Sequence, residues 1–169
     1  CLLGLLLAFA VSRVRSGRMR SVYRGVIYFP TIVTTSSVAI VWVYMFGTDT
    51  GVINYFLRQL GGSNEPCLTD KNVVYLTVAL FSFWKFIGTA FLYYFIGLQN
   101  IPDVYYEAAR IDGAGTRQIF LRITLPLLSP TIFFVVVTNM IGVFQIFDEP
   151  FIITGGGPGT ATKTMSLYI

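Results

Sequence analysis

The amino-acid sequence predicts an all-α, polytopic membrane protein, and three observations carry that expectation. Of its 169 residues 54% are hydrophobic and 12% are charged, where a soluble domain carries roughly 25% charge, and mean hydropathy is +0.69. Residues 25–46, 73–98 and 126–147 carry no charge or a single one, and each is long enough for a hydrocarbon core that takes about 20 helical residues to cross. The basic residues collect in alternate connections between these stretches, as the positive-inside rule requires of a membrane protein.

Residues 1–11 are apolar but about half the length of a span. Their basic run follows the apolar stretch, whereas a signal peptide places it before. They read as the end of a spanning helix. The basic connection 13–24 comes next, with Arg13, Arg15, Arg18, Arg20 and Arg24. Residues 25–46 form the next expected span, with Pro30 one turn inside its start and Tyr28, Trp42 and Tyr44 near its ends as interface anchors. Residues 48–72 are polar and broken by glycines and Pro66; within them 52–60 fits a short amphipathic helix with Val52, Ile53, Phe56 and Leu60 on one face.

Residues 73–98 form the following span, and Lys85 lies near its middle. An ammonium there is costly unless it faces protein, water or a snorkelling path, so Lys85 is expected to point into the helix bundle or along it. Residues 99–125 form a polar connection with helical signals. Pro102 suits a first helical position and Asp103 a first turn; residues 105–111 continue as helix, Gly113 suits a left-handed residue behind it, and Thr116 can cap a second stretch over 117–123. The span 126–147 carries two amides, Asn139 and Gln145. Residues 148–163 read as a loop rich in glycine, and 165–169 as the start of a further helix. The chain is thus expected to be a piece of a longer protein, cut at both ends.

With 13–24 placed inside, 99–125 is also inside, and 48–72 and 148–163 are outside. The inner connections then hold eight Lys or Arg and the outer ones three, Arg58, Lys71 and Lys163. This bias sets the orientation and explains the net charge of +4 without nucleic acid. With no histidine and only Cys1 and Cys67, the usual zinc sites, a Ser-His-Asp triad and a disulfide framework are not expected. Residues 155–159 are glycine-rich but lack the Lys-Ser/Thr ending of a phosphate-binding loop.

The connection 99–125 is long and ordered for a tether. Ala108 and Ala109 keep its helix slim enough to seat in a groove, Tyr105 or Tyr106 adds contact area, and Asp103, Glu107 and Arg110 place charge at the rim. A short, rigid helix of this kind offers a soluble partner something to push.

The run Glu107-Ala108-Ala109, then Asp112-Gly113-Ala114, then Ile123-Thr124-Leu125-Pro126 resembles the EAA signature of binding-protein-dependent ABC importer permeases. Residues 97–102, Trp84-Lys85 with Gly88, residues 144–148 and residues 154–158 resemble the maltose/glycerol-3-phosphate (MalF/UgpA-like) branch, and the likeness runs over nearly the whole chain. It departs at Tyr105-Tyr106, where many relatives carry a charge and one aromatic.

The resemblance implies the MetI-like permease fold. It implies a pore-forming subunit of an ATP-driven importer for a sugar or related solute, with no catalysis by this chain. The implied partners are a second permease subunit (homologous, or a copy of this one), two ATP-binding cassette ATPase subunits, an extracytoplasmic solute-binding protein and the lipid bilayer of a prokaryotic inner membrane. No cofactor is expected on this chain, since ATP and Mg belong to the ATPase. Asp103, Tyr106, Glu107, Ala108, Ala109, Asp112 and Gly113 would carry coupling to the ATPase. Asn139, Gln145 and Lys85 are candidates for the solute path. An ion channel or secondary transporter would need no docking helix, and a purely structural membrane protein would not have its partner ATPase stimulated by solute.

Overall fold

The computed structural model describes residues 1–14, 16–48, 51–61 and 66–168. Arg15, residues 49–50 and 62–65 of the expected connection 48–72, and Ile169 lie outside the described residues. Those described form helices and turns, without a strand among them: α1 (Leu2–Ser12), α2 (Gly17–Ile32), α3 (Thr35–Phe46), α4 (Val52–Gln59), α5 (Val74–Gln99), α6 (Asp103–Ile111), α7 (Thr116–Ile119), a π-helical turn (Phe120–Thr124), α8 (Leu125–Leu127), α9 (Ser129–Phe144), α10 (Asp148–Thr154) and α11 (Met165–Tyr168). Among them α5 alone is long and apolar enough to cross a membrane as a single helix. Two broken pairs, α2 with α3 and Thr116–Leu127 with α9, would each make a further span if counted as one.

The helices fall into two compact units, residues 1–31 with 87–140 and residues 32–86 with 141–169. In lipid an apolar face gains nothing by leaving its solvent, so such cores are held by close packing. In the first unit, Leu5, Ala8 and Val11 of α1 meet Ala90, Phe91, Tyr94, Phe95 and Leu98 of α5, with Leu128 and with Val135 of α9. The helical spacing of these positions puts each set on one face. Gly88 brings α2 against α5: a Cβ there would lie 2.8 Å from Ile27 O and 3.1 Å from Tyr28 Cα. In the second unit, Ala39 of α3, Phe81 of α5 and Ile153 of α10 form the core, with Trp42, Val43, Val78 and Ile152 against it. Trp42 stacks on Trp84 at 5.7 Å and meets Phe81 edge-on at 5.4 Å.

Several expected boundaries are corrected. The basic connection 13–24 is helical from Gly17 onward, because arginine is a good helix former and nothing before Pro30 breaks the run. The expected span 25–46 is not one helix. Pro30 removes a backbone donor inside α2, and the chain leaves helical geometry at residues 33 and 34 before α3 begins.

Thr116 is the first residue of α7, not its cap; Gly115 takes the cap position, and its N–H donates to Gln118 Oε1 at 2.9 Å. The expected span 126–147 is interrupted at Leu128, with a bend of 66° between Thr116–Leu127 and α9, and α9 ends at Phe144. Pro126 offers no N–H to the turn before it, and that turn is the π-helical one, where Thr124 Oγ1 lies 3.3 Å from Ile119 O.

Residues 148–154 are helix rather than loop, with Asp148 and Glu149 in the favourable first turn and Gly155 left-handed at its end. α4 is present as the expected short amphipathic helix, with its apolar residues on the outer face. Val52, Phe56 and Leu60 are exposed while Asn54 is buried, its Nδ2 donating to Gly47 O and Thr48 O.

Candidate functional site

The connection between α5 and α9 is built around α6. Pro102 precedes it with extended backbone angles and Asp103 opens its first turn. Its end is closed by two backbone hydrogen bonds, Gly113 N–H to Arg110 O at 3.1 Å and Ala114 N–H to Ala109 O at 2.9 Å. Together with Gly113 at φ +74 these make a Schellman motif, which needs a residue free to enter the left-handed region. The expected positive φ of Gly113 is therefore present, and its cause is the closure of α6.

α6 presents two faces. Ala109 is buried and Tyr106 is half-buried against the first unit's core; the Tyr106 hydroxyl lies 3.4 Å from the buried Thr124 Oγ1. Phe120 and Leu125 join the same packing. The other face carries Val104, Glu107, Ala108 and Ile111, all exposed, with Val104 at 69% and Ile111 at 87%; Tyr105 and Arg110 beside them are exposed too.

The candidate coupling residues therefore divide. Glu107 and Ala108 lie on the outward stripe, Asp103, Asp112 and Gly113 are exposed at the two ends of the helix, and Tyr106 and Ala109 hold the helix to its own unit. Val104 and Ile111 were missed by sequence reasoning. Their signal was present, since positions 104, 107, 108 and 111 make one helical stripe with an apolar residue at each end.

Behind α6 lies a groove of about 1020 Å³ lined by Arg13, Arg20, Asp103, Tyr106 and Arg110 among others. A smaller one of about 380 Å³ lies beside Asp112, Gly113 and Arg122. Among the described residues no ion pair joins Glu107 to Arg110, so the carboxylate is presented to its surroundings.

The three residues considered for a solute path are placed differently. Asn139, in the first unit, is half-buried and its Nδ2 donates to Val135 O one turn back, at 2.7 Å. Gln145, in the second unit, is exposed just past the end of α9. Lys85 is buried in the second unit, at 3% exposure, and its Nζ donates to Val33 O. The residues described offer no cluster of metal-ligating side chains.

Comparison with known proteins gives a consistent result. Residues 1–168 match the family model described as binding-protein-dependent transport system inner membrane component. The chain is 40% identical over 164 residues to the sn-glycerol-3-phosphate transport system permease protein UgpA of Agrobacterium fabrum, covering 96% of this chain and 55% of that protein. It is 33% identical to the probable ABC transporter permease protein YurN of Bacillus subtilis, covering 98% and 58%, and 32% identical to the arabinooligosaccharides transport system permease protein AraP of the same organism, covering 90% and 49%. The chain thus spans about half the length of these relatives.

Among solved structures it superposes, with a TM-score of 0.88 and 27% identity, on a chain of a bacterial alginate ABC transporter in complex with alginate pentasaccharide-bound periplasmic protein, covering 98% of this chain and 58% of that one. The all-α fold is that of an ABC importer permease, and the protein is a membrane protein. The chain belongs to the family of binding-protein-dependent transport system inner membrane components.

Proposed function

We propose that this chain is the pore-forming part of a permease subunit in an ATP-driven importer, and that α6 receives the movement of a partner ATPase. The observation that carries this reading is the two-faced build of α6. Its exposed stripe of Val104, Glu107, Ala108 and Ile111 is open to a partner, while Tyr106 and Ala109 on the opposite face are packed into the unit that holds α1, α5 and α9. A force applied to the stripe reaches Thr124, Phe120 and the Phe91–Phe95 region through direct contact. Interiors packed this closely transmit displacement instead of absorbing it.

Membership of the family supports the same reading for the remaining parts of the assembly. A second permease subunit, homologous or identical, completes the pore. Two ATPase subunits bind and hydrolyse ATP with Mg, so this chain does no covalent chemistry and holds no cofactor of its own. An extracytoplasmic binding protein delivers the solute, as the periplasmic protein of the alginate transporter suggests. The relatives are named for glycerol-3-phosphate and arabinooligosaccharides, so a carbohydrate or its phosphate ester is the substrate class. Asn139 is the better of the polar candidates for touching it, because its amide oxygen is uncommitted by the Nδ2 bond to Val135.

The basic residues on α2 and around α6 support a cytoplasmic position for both, at a prokaryotic inner membrane. Cysteines placed at Gly113 and at Gly155 in the full-length protein test the reading directly. A membrane-impermeant thiol reagent applied from outside whole cells should label the second position and spare the first, and purified complex should hydrolyse ATP faster when its loaded binding protein is added. Labelling of Gly113→Cys from outside would end the assignment of α6 to the ATPase.

A further inference from the structure

The second unit buries two ionisable residues, Lys85 and Glu149, that the transport reading leaves unused. On α5, Phe81 and Lys85 are one helical turn apart and share a face; on α10, Glu149 and Ile153 do the same. The core of the unit sets Phe81 against Ile153 and Ala39. One turn from that core, Lys85 stands on α5 and Glu149 on α10, and Lys85 Nζ donates to Val33 O. Lys85 is 3% exposed and Glu149 4%. Val33 sits where the chain leaves helical geometry between α2 and α3, and carbonyls at such an end have lost their helical donors.

We propose that Lys85 and Glu149 form a charge clamp that fixes α10 against α5 and the start of α3, and that Lys85 acts as a positioning residue of the translocation path, not as a solute ligand. The clamp sets where the chain following α10, with its left-handed Gly155, Gly156 and Gly159, is held. An ammonium buried among apolar helices needs both a counter-charge and acceptors, and here a carboxylate and a freed carbonyl supply them from two separate segments. The transport half of this inference rests on the function proposed above; the pairing does not.

The test separates the two halves. A buried pair has a diagnostic energetics: removing one partner strands the other, whereas replacing both by apolar groups of similar size is far less harmful. Lys85→Met, Glu149→Met and the double variant would be made in the full-length protein. Yield of folded protein in detergent and its thermal midpoint would be measured, together with the emission of Trp42 and Trp84, since Trp84 adjoins Lys85 and stacks on Trp42.

Each single variant is expected to lose at least about fivefold in folded yield and to shift the tryptophan emission, and the double variant to recover most of both. A double variant as depleted as the worse single one, or singles that behave like wild type, would overturn the clamp. In the complete importer, the double variant should keep the solute KM within about twofold even if the maximal rate falls. A KM raised more than about tenfold, with folding recovered, would show that Lys85 contacts solute after all.

Discussion

Arg13 Nη1 donates a 3.2 Å hydrogen bond to Thr116 Oγ1, while the same guanidinium lies 4.4 Å from the centre of the Phe9 ring and Phe9 packs on Phe120 at 4.5 Å. The end of α1 is thereby fastened to the segment that follows the Gly113 turn. The polar contact is exposed and the aromatic one is partly buried, which ranks them. Thr116→Val should cost no more than about 1 kcal/mol. Phe9→Ala, which removes the ring pair, the cation–π contact and packing against the first core, should cost roughly 1–3 kcal/mol. Thermal unfolding of the full-length protein in detergent measures both, and a larger loss from Thr116→Val would invert the ranking.

The structure changes what Gly113 is expected to tolerate. A Cβ at this position would meet nothing within 4 Å, so the demand is on φ alone, at +74. Asparagine enters the left-handed region readily, whereas a β-branched residue does not. Gly113→Asn should therefore transport almost as well as wild type. Gly113→Val should unwind the end of α6, at a cost of about 1–2 kcal/mol, and lower solute-stimulated ATPase activity. Equal damage from both would mean that a partner, not the backbone, requires the glycine.

Gly88 poses the opposite demand. An added Cβ would lie 2.6 Å from Thr31 Oγ1, 2.8 Å from Ile27 O and 3.1 Å from Tyr28 Cα. The last two are backbone atoms of α2, which cannot rotate away. Gly88→Ala should push α2 off α5 and destabilise by roughly 1–3 kcal/mol. The comparison is Gly142→Ala, where nothing lies within 4 Å and the gain in helix propensity should leave stability equal or higher. Unfolding midpoints that fail to separate these two alanine variants would refute the close-approach argument.

Some of this was readable from residues alone. α6 and its closing turn were legible because proline, an acid, the alanines and the glycine act locally, within a few residues of where they stand. The breaks at residues 33–34 and at Leu128 were not, because apolar composition runs on through them. A hydropathy pattern counts length and does not register a lost backbone hydrogen bond. α10 was read as loop because Pro150 and the following glycines dominate its composition, although Pro150 falls in the first turn, where no helical donor is needed. Lys85 announced itself as a charge in an apolar run. Its acceptor, Val33 O, and the Glu149 proposed to pair with it could not be found without the packing of α3, α5 and α10. The division of the EAA residues into an inward and an outward face was hidden by the adjacency of Ala108 and Ala109, which look equivalent in sequence and are a 100° rotation apart on the helix.

Glu107 gives the sharpest test of the coupling role. It lies in the middle of the exposed stripe of α6, between Val104 and Ile111, and beside the exposed Ala108. Arg110, three residues on, could have taken up its carboxylate, yet among the described residues the two form no ion pair. In the proposed coupling role the charge would meet a donor on a partner, where a charge-assisted hydrogen bond is short and directional and would fix the angle at which the helix is held. Since Glu107 contributes nothing to the packing of α6 on its own unit, Glu107→Ala should leave folding, membrane insertion and thermal midpoint unchanged. Its expected effect is on the assembly: less ATPase recovered with the purified permease, or hydrolysis that no longer responds to the loaded binding protein. Ala109→Leu, on the buried face, should do the reverse and disturb the permease's own stability. Co-purification, ATPase rate and solute uptake measured on both variants decide the matter. Glu107→Ala with all three at wild-type values would remove this residue from the coupling surface and leave Val104 and Ile111 to carry it.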